Sequence, residues 1–394
     1  MPGFEFIGEE ERREIQQVID SGVLMRYGFD AARKGQWKSR ELEQRLAAKL
    51  GARHAHVCSS GTAALSTALA VCGVGAGDEV ILPPFTFVAD LETVLMAGAV
   101  PVFAEIDQTL CLDPLSVAKA VTPKTKAVLV VHMCGAMAQI DALEKVCRTH
   151  HLTLIEDAAQ AVGASYRGRT VGTFGKVGCL SFDYVKTITC GEGGAILTDD
   201  DEAYRLAQAY TDHGHDHLGA DRGADQHPHM GLNFRLSELH AAVGVAQLAR
   251  LDHILEVQRR HKAILKDGLA GLRGLEFRDL PDPAGDSATF LSLLLPSENE
   301  ARHAARALAE AGIDGCFYWY DNNWHYHRKW DHIKTFASPG RLAIDRFGYG
   351  TDLTKVALPQ SDALMSRTIS MLIKLRWTPE QVRDRLARMK SALA

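Results

Sequence analysis

Two side chains able to do chemistry follow strand-like segments in the middle of the chain. Asp157 follows the strand-like segment Leu154-Ile155-Glu156, and Lys186 lies between a strand candidate at 179–182 and the glycine-rich turn 191–194. A lysine amine can form a Schiff base with an aldehyde cofactor. An acid at the carboxyl end of a strand lies where open α/β sheets bind ligands. Taken singly, each signal is also typical of ordinary structure: a surface acid or helix N-cap, a solvated loop lysine, a hairpin turn.

Two further segments supply contacts that a phosphorylated aldehyde would need. Residues 59–62, Ser-Ser-Gly-Thr, lie between a strand and a helix, where backbone N–H groups and a hydroxyl can be directed at a phosphate. They form neither a Walker loop nor a GxGxxG fingerprint. Residues 83–87, Pro-Pro-Phe-Thr-Phe, offer aromatic faces for a planar ring, although either phenylalanine fits a core equally well. A phosphate cradle, an aromatic, an acid and a lysine together meet the needs of pyridoxal phosphate.

Short apolar runs separated by helix-length segments must position these residues. Leu42, Leu46 and Leu50 recur every four residues before Gly51, which predicts an amphipathic helix over 41–50 with a glycine stop. Strand candidates follow at 55–57, 80–82, 102–104, 127–132, 152–156, 179–182 and 195–198. This alternation predicts an α/β domain with a mostly parallel sheet, whose ligand site lies beyond the carboxyl ends of the strands.

The pattern changes beyond residue 236. Long helical stretches are predicted at 237–251 and on to 269, with a strand at 290–295 and a helix at 298–311. The last helix has a strong start signal, with Thr378 as N-cap, Pro379 at the first helical position and Gln381 three residues after the cap. We therefore expect a large cofactor-binding domain over residues 1–236 and a smaller α+β domain over residues 237–394.

The composition excludes several classes of protein. A chain of 394 residues with 46% hydrophobic and 24% charged residues is typical of a two-domain globular protein. The net charge of −5, without a polybasic run, argues against a nucleic-acid partner. There is no basic leader before an apolar stretch and no run of ~18 apolar residues. Because the eight cysteines are scattered, we expect reduced thiols in a cytoplasmic protein without a membrane segment.

In order and spacing, five segments resemble the DegT-type sugar aminotransferases of pyridoxal phosphate fold type I: SSGTAAL, PPFTFVAD, EDAAQAVGA, SFDYVKTITCGEGGAILT and GLNFRLSELHAAVGVAQLARLD. The resemblance covers nearly the whole chain. It implies that Lys186 forms the Schiff base, that Asp157 binds the pyridine nitrogen and that Gln160 lies against the ring. It also implies the remaining cofactor contacts: Gly61, Thr62 and Ser181 at the phosphate, Phe87 on the ring, and Asn233 at the phosphate of the neighbouring subunit's cofactor. The last contact implies a homodimer with shared active sites.

Within that family, further segments resemble the branch of 8-amino-3,8-dideoxy-octulosonate transaminases: MRYGFD, VHMCGAMAQID, TDHGHDHLGADRGADQHPHMGLNFR, GCFYWYDNNWHY and SDALMSRTISMLIKLRW. Residues 370–377 depart from the proline-rich stretch of many members, which argues against a nucleotide-linked sugar. Lys374 and Arg376 in this stretch offer charge for a substrate carboxylate, or lie on the solvent side of a strand. The implied reaction moves an amino group from glutamate to an oxidised sugar such as an 8-oxo-3,8-dideoxy-octulosonate, for a cell-surface polysaccharide, with pyridoxamine phosphate as the intermediate cofactor form.

Two other clusters border the expected site. Five histidines lie within one segment: His213, His215, His217, His227 and His229. Because neither an HExxH motif nor a Cys–His finger spacing is present, we expect no metal, and place His213 and His215 near the substrate or the partner subunit. In the aromatic and amide cluster at 319–324, Tyr320 and Trp324 could contact a polyol, or form a packed domain edge.

Other functions fit parts of the same pattern. A pyridoxamine-dependent sugar dehydratase would share the fold, but those relatives carry histidine in place of the lysine, and Lys186 is present. An aminotransferase for a nucleotide-linked ketosugar, and a regulator that binds the cofactor without turnover, would share the same motifs. A metallohydrolase built on the histidine segment would require a bound metal and ranks last.

Overall fold

The computed structural model describes residues 3–218, 223–347 and 349–394 of the protein. Its α-helices are α1 Glu9–Ser21, α2 Lys38–Leu50, α3 Gly61–Val71, α4 Ala89–Met96, α5 Pro114–Ala120, α6 Ile140–His150, α7 Asp201–Tyr210, α8 Glu238–Ala249, α9 Leu251–Leu269, α10 Glu298–Glu310, α11 Asp331–Lys334, α12 Ala343–Phe347, α13 Pro359–Met365 and α14 Pro379–Leu393. Short 3-10 helices lie at Gly3–Phe6, Met133–Gly135, Pro283–Gly285, Trp319–Asp321, His327–Lys329 and Leu353–Lys355.

The strands form one large and two smaller sheets. They are β1 His54–Cys58, β2 Glu79–Leu82, β3 Val100–Phe103, β4 Thr125–Val131, β5 Thr153–Asp157, β6 Ser165–Tyr166, β7 Arg169–Thr170, β8 Val177–Ser181, β9 Gly194–Thr198, β10 Glu276–Phe277, β11 Phe290–Leu294, β12 Cys316–Phe317 and β13 Thr368–Leu372. The large sheet has seven strands in the order β1-β9-β8-β5-β4-β2-β3. Only β9 runs antiparallel to its neighbours in this sheet. The predicted α/β fold with a mostly parallel sheet is confirmed.

Helices cover both faces of the large sheet, as its continuous apolar strands require. The face with α3, α4 and α7 buries Leu69, Leu91 and Ala207, and the opposite face receives α2, α6 and α8. In α2 the residues Leu42, Leu46 and Leu50 are buried, and Gly51 ends the helix in the left-handed conformation (φ 73°). The helix predicted over 41–50 is therefore confirmed, beginning three residues earlier.

The smaller sheet has the antiparallel order β10-β11-β13-β12. It shares a separate apolar core with α9, α10 and α14, which contains Leu291, Leu308, Met371 and Val382. The start of α14 forms the predicted capping box between Thr378 and Gln381. Strand β3 begins two residues before its predicted start because Val100–Phe103 pairs residue by residue with Glu79–Leu82 of β2.

Two features bear on the division of the chain into domains. Helix α8 packs on α1 and α2 of the N-terminal region. Trp330 and Ile333, far along the chain, are buried in the apolar core beneath α3 and α4. The boundary after residue 236 stays a prediction. Among the described residues, no helix combines the length and the apolar character that crossing a membrane requires.

Candidate active site

A cavity of about 290 Å³ lies at the carboxyl ends of β5 and β8 and at the N-terminus of α3. The predicted residues that line it are Gly61, Thr62, Phe87, Asp157, Gln160, Ser181, Lys186 and Trp324. This is the location where open α/β sheets bind ligands. The structure thus brings eight sequence-predicted residues, drawn from five separate segments, to one cavity.

The N-terminus of α3 forms one wall of the cavity. The Ser60 hydroxyl caps the helix by accepting from Ala63 N at 3.0 Å, and the Ser60 carbonyl accepts from Ala64 N. The amides of Gly61 and Thr62 are thereby left for a ligand, at the positive end of the helix dipole. A Cβ atom at Gly61 would lie 2.8 Å from the Cβ of Ser181, so only glycine permits this close approach. The result is a compact anion cradle beside the Ser181 hydroxyl.

Lys186 lies in the loop that follows β8. The loop is fixed by its own hydrogen bonds, from Lys186 N to Asp183 O at 3.0 Å and from Val185 N to Asp183 Oδ1 at 3.1 Å. The Gly3 amide donates to the Lys186 carbonyl at 2.9 Å, which ties the N-terminal segment to the lysine. Burial lowers the pKa of the Lys186 amine, against the opposing attraction of Asp157. A larger fraction of this amine is therefore neutral, and nucleophilic, than in an exposed lysine.

Asp157 ends β5 on the same edge. Its Oδ1 accepts from Ala159 N at 2.8 Å, and its carbonyl accepts from His132 N at 3.0 Å. Burial raises the pKa of the Asp157 carboxyl, while the Ala159 amide and the Lys186 amine act in the opposite direction. The side chain is held in one orientation, as required of an acid that pairs with a ring nitrogen.

Gln160 and three aromatic rings complete the lining. Gln160 Oε1 accepts from Cys134 N at 3.1 Å, which fixes the orientation of its side-chain amide. Phe87 lies with its ring centroid 5.8 Å from Trp324 and 5.4 Å from His325. The two segments are joined through their backbones, from Thr86 N to His325 O and from Val88 N to Trp324 O, each at 3.0 Å. The aromatic wall is therefore one connected unit.

His325 is a cavity residue that the sequence interpretation missed, although it directly follows the aromatic and amide cluster at 319–324. Its Nδ1 lies 3.2 Å from Asn322 Oδ1. Burial, with the nearby Lys186 charge, lowers the pKa of His325 to about 3. The imidazole is therefore neutral at physiological pH. Asp90, another missed residue, is the last position of the PPFTFVAD segment and also lines the cavity, as does Asp183.

The other predicted site residues lie elsewhere. Asn233 is exposed and forms an isolated antiparallel β-bridge with Asp212. Its expected contact with a neighbouring subunit's cofactor stays a prediction. His213 is exposed, and buried His215 lies 3.3 Å from Asp225 through Nδ1. Neither histidine lines this cavity.

Three predicted substrate contacts lie away from the cavity. Tyr320 is buried, with the guanidinium of Arg328 at 3.7 Å from its ring centroid. Lys374 lies beyond the end of β13 and pairs with Asp314, while Arg376 is exposed. None of the three lines the cavity.

The donor set fits pyridoxal phosphate. The α3 cradle, which a single Cβ would fill, suits the phosphate, and the amine of lowered pKa suits the aldehyde. The fixed buried carboxylate suits the pyridine nitrogen, and the aromatic wall suits the ring. Within the described residues, no group of three or more His, Cys, Asp or Glu side chains has an arrangement that could hold a metal ion.

Fold and site together define a fold type I, pyridoxal phosphate-binding protein. The chain belongs to the DegT/DnrJ/EryC1/StrS aminotransferase family, whose sequence profile matches residues 5–340. Pyridoxal phosphate is the cofactor of this family, and the predicted family and cofactor are confirmed.

Comparisons with individual proteins agree with this assignment. The chain is similar to the L-glutamine:2-deoxy-scyllo-inosose aminotransferase of Micromonospora echinospora, at 42% identity over 66% of this chain and 63% of that protein. It is 38% identical to the GDP-perosamine synthase of Vibrio cholerae over 66% of this chain and 68% of that protein. The crystal structure of an aminotransferase from Psychrobacter cryohalolentis superposes with a TM-score of 0.84 at 26% identity, over 98% and 96% of the two chains. The sequence match to the inosose aminotransferase thus spans less than two thirds of that protein.

Proposed function

We propose that the protein transfers an amino group from glutamate or glutamine to the carbonyl of an oxidised sugar or cyclitol. The observation that carries this proposal is the convergence of Lys186, Asp157 and the α3 N-terminus on one cavity. When bound there, pyridoxal phosphate supplies an aldehyde that accepts the amino group and a cationic ring that stabilises negative charge on the reacting carbon.

Each residue has a distinct task in this proposal. The Gly61 and Thr62 amides and the Ser181 hydroxyl would hold the phosphate, and Asp157 would keep a proton on the ring nitrogen. Burial lowers the pKa of the Lys186 amine, so a larger fraction of it is neutral; this amine would bind the aldehyde and would move the proton at the substrate carbon. Phe87, which packs beside Trp324 and His325, would cover the ring, and these two residues would help to exclude water there.

The amino acceptor is proposed to be a polyol. Trp324 is 57% exposed at the cavity, which suits stacking on a sugar or cyclitol ring, and His325 contributes a neutral hydrogen-bonding group. The octulosonate substrate rests on the resemblance of sequence segments alone. Lys374 and Arg376, which were expected to meet its carboxylate, lie outside this cavity.

A nucleotide-linked ketosugar is a second candidate acceptor. The 38% identity to a GDP-perosamine synthase favours it. The name of the inosose aminotransferase favours instead a free cyclitol as acceptor and glutamine as donor.

We also propose a homodimer with shared sites. Asn233 is exposed near the exposed apolar side chains of Met230 and Leu232, on the segment expected to reach a neighbouring subunit. Sedimentation of wild type and Asn233→Ala, with cofactor affinity measured in parallel, tests this. A dimeric variant with weakened cofactor binding supports the shared site, and a monomeric wild type contradicts it.

The experiment for function offers the cofactor-loaded protein each donor with each of three acceptors: an 8-oxo-octulosonate, a nucleotide-linked ketosugar and 2-deoxy-scyllo-inosose. Formation of an amino sugar with an equimolar 2-oxo acid from one pair supports the proposal. If only a nucleotide-linked acceptor reacts, the octulosonate proposal fails while aminotransfer stands. If the cofactor binds but neither donor yields a 2-oxo acid, even without a sugar, the result favours a cofactor-binding regulator.

A further inference from the structure

A second buried acid lies beside Asp157 in the cavity. Asp90, in the first turn of α4, has no exposed surface. One of its carboxyl oxygens accepts a hydrogen bond from the buried Thr86 hydroxyl. The other, Oδ1, is buried with no donor among the described residues. Asp90 and Asp157 are both buried and line the same cavity, where their carboxyl groups form a hydrogen-bonding pair.

Two carboxylates in contact and shielded from water cannot both stay ionised. A carboxylate has no hydrogen to donate, so the two acids form a hydrogen bond with each other only if one of them is protonated. A buried polar atom without a partner is costly, which favours that proton. Pairs of this kind titrate as a unit, with one proton held strongly.

The surroundings decide which acid carries the proton. Asp157 accepts from the Ala159 amide and faces the Lys186 amine and the His132 ring, all of which favour its ionised form. Asp90 faces Asp157, Lys186 and the Thr86 hydroxyl, and burial and the Asp157 charge raise its pKa well above the ordinary value.

Two other groups near Asp90 do not alter this balance. The nearby Cys179 thiol is neutral because burial raises its pKa well above the ordinary value. The α4 N-terminus favours negative charge on Asp90, but this effect is smaller than that of burying two carboxylates together. Asp157 is therefore the anion and Asp90 the acid.

We propose that Asp90 is a positioning residue, which holds a proton and donates a hydrogen bond to Asp157. Asp157 is thereby presented to the cofactor ring nitrogen as a single anion of fixed orientation. The inference rests on the proposed function only for its consequence in catalysis. The protonated Asp90 itself is a property of the protein that can be observed without turnover.

The test uses infrared difference spectroscopy of the cofactor-loaded protein. Wild type should show, at neutral pH, the C=O band of a protonated carboxylic acid, which shifts in D₂O and is absent from Asp90→Asn. The same band should persist in Asp331→Asn, which alters an exposed acid of α11. If wild type has no such band, or if Asp90→Asn retains it, the proposal is overturned.

Cofactor affinity supplies the second readout. The amide of Asp90→Asn still donates a hydrogen bond, so its dissociation constant for pyridoxal phosphate should stay within about threefold of wild type. Asp90→Ala removes the donor and should weaken cofactor binding about tenfold or more. Equal affinities for the Asn and Ala variants would overturn the positioning role. Because neither readout requires turnover, both decide the proposal even if no substrate pair reacts.

Discussion

The glycine at position 61 tests the geometry of the phosphate cradle. In Gly61→Ala the new Cβ would lie 2.8 Å from Ser181 Cβ and 3.0 Å from Ser181 Oγ. Carbon atoms pack favourably at about 3.5 Å or more, so α3 and the end of β8 must separate by about 0.7 Å. Both are held in buried structure, and overpacking of this kind costs about 1–3 kcal/mol.

The same displacement moves the amides of the first α3 turn away from Ser181. The cofactor binds to the closed cradle. If opening the cradle relieves about 1.4 kcal/mol or more of the strain, closing it on the cofactor costs that amount, and cofactor affinity falls at least tenfold. Fluorescence titration with pyridoxal phosphate measures the affinity, and chemical denaturation of the cofactor-free protein measures the stability.

Two variants serve as controls. Gly75→Ala places its Cβ in open space, so its affinity and stability should stay within about 0.5 kcal/mol of wild type. Ser181→Gly in the Gly61→Ala background removes both clashing atoms and should recover stability, but not the affinity that the Ser181 hydroxyl provides. If Gly61→Ala behaves like Gly75→Ala in both assays, the close-approach argument is wrong.

Three further predictions concern single residues. Burial lowers the pKa of Lys186, whereas Asp352 raises the pKa of exposed Lys355. Competitive acylation of the cofactor-free protein, read by mass spectrometry, should therefore label Lys186 at lower pH than Lys355. The opposite order would contradict the activation of Lys186. Because the pKa of His325 is about 3, its ring stays neutral as the pH falls toward 5. His325→Gln should therefore lower kcat/KM less than about tenfold and leave the acidic limb of the pH–rate profile in place. A shifted limb would show that the His325 imidazolium titrates in catalysis. Thr378→Ala removes the cap of α14 and should lower the free energy of unfolding in denaturant by about 1 kcal/mol. Arg383→Ala, at an exposed position of the same helix, should lower it by almost nothing. Equal losses would refute the capping role.

Much of the site could be predicted because its residues lie at strand ends marked by short sequence signals. Lys186 and Asp157 follow apolar strands, and Gly61 opens a helix after a strand, so the parallel sheet brings all three to one edge. The roles assigned to them stay predictions, whereas the fold, the family and the cofactor are confirmed.

The rest depends on long-range packing that no local pattern reveals. His325 reaches the cavity because the backbone at 324–325 hydrogen-bonds to residues 86 and 88, more than two hundred positions earlier. Asp90 lies three residues after Phe87, and only the fold shows its carboxyl beside Asp157. Lys374 was expected near the substrate, but the chain continues beyond β13 to pair this lysine with Asp314.

The most direct measurement of the central claim is a single turnover with the amino donor alone. Cofactor-loaded wild type mixed with glutamate or glutamine, without any sugar, should release one equivalent of 2-oxo acid per protomer and retain the aminated cofactor. Lys186→Ala should release none, because it lacks the amine that moves the proton. Equal yields from the two proteins, or no 2-oxo acid from wild type with either donor, would contradict the assignment of this cavity as an aminotransferase active site.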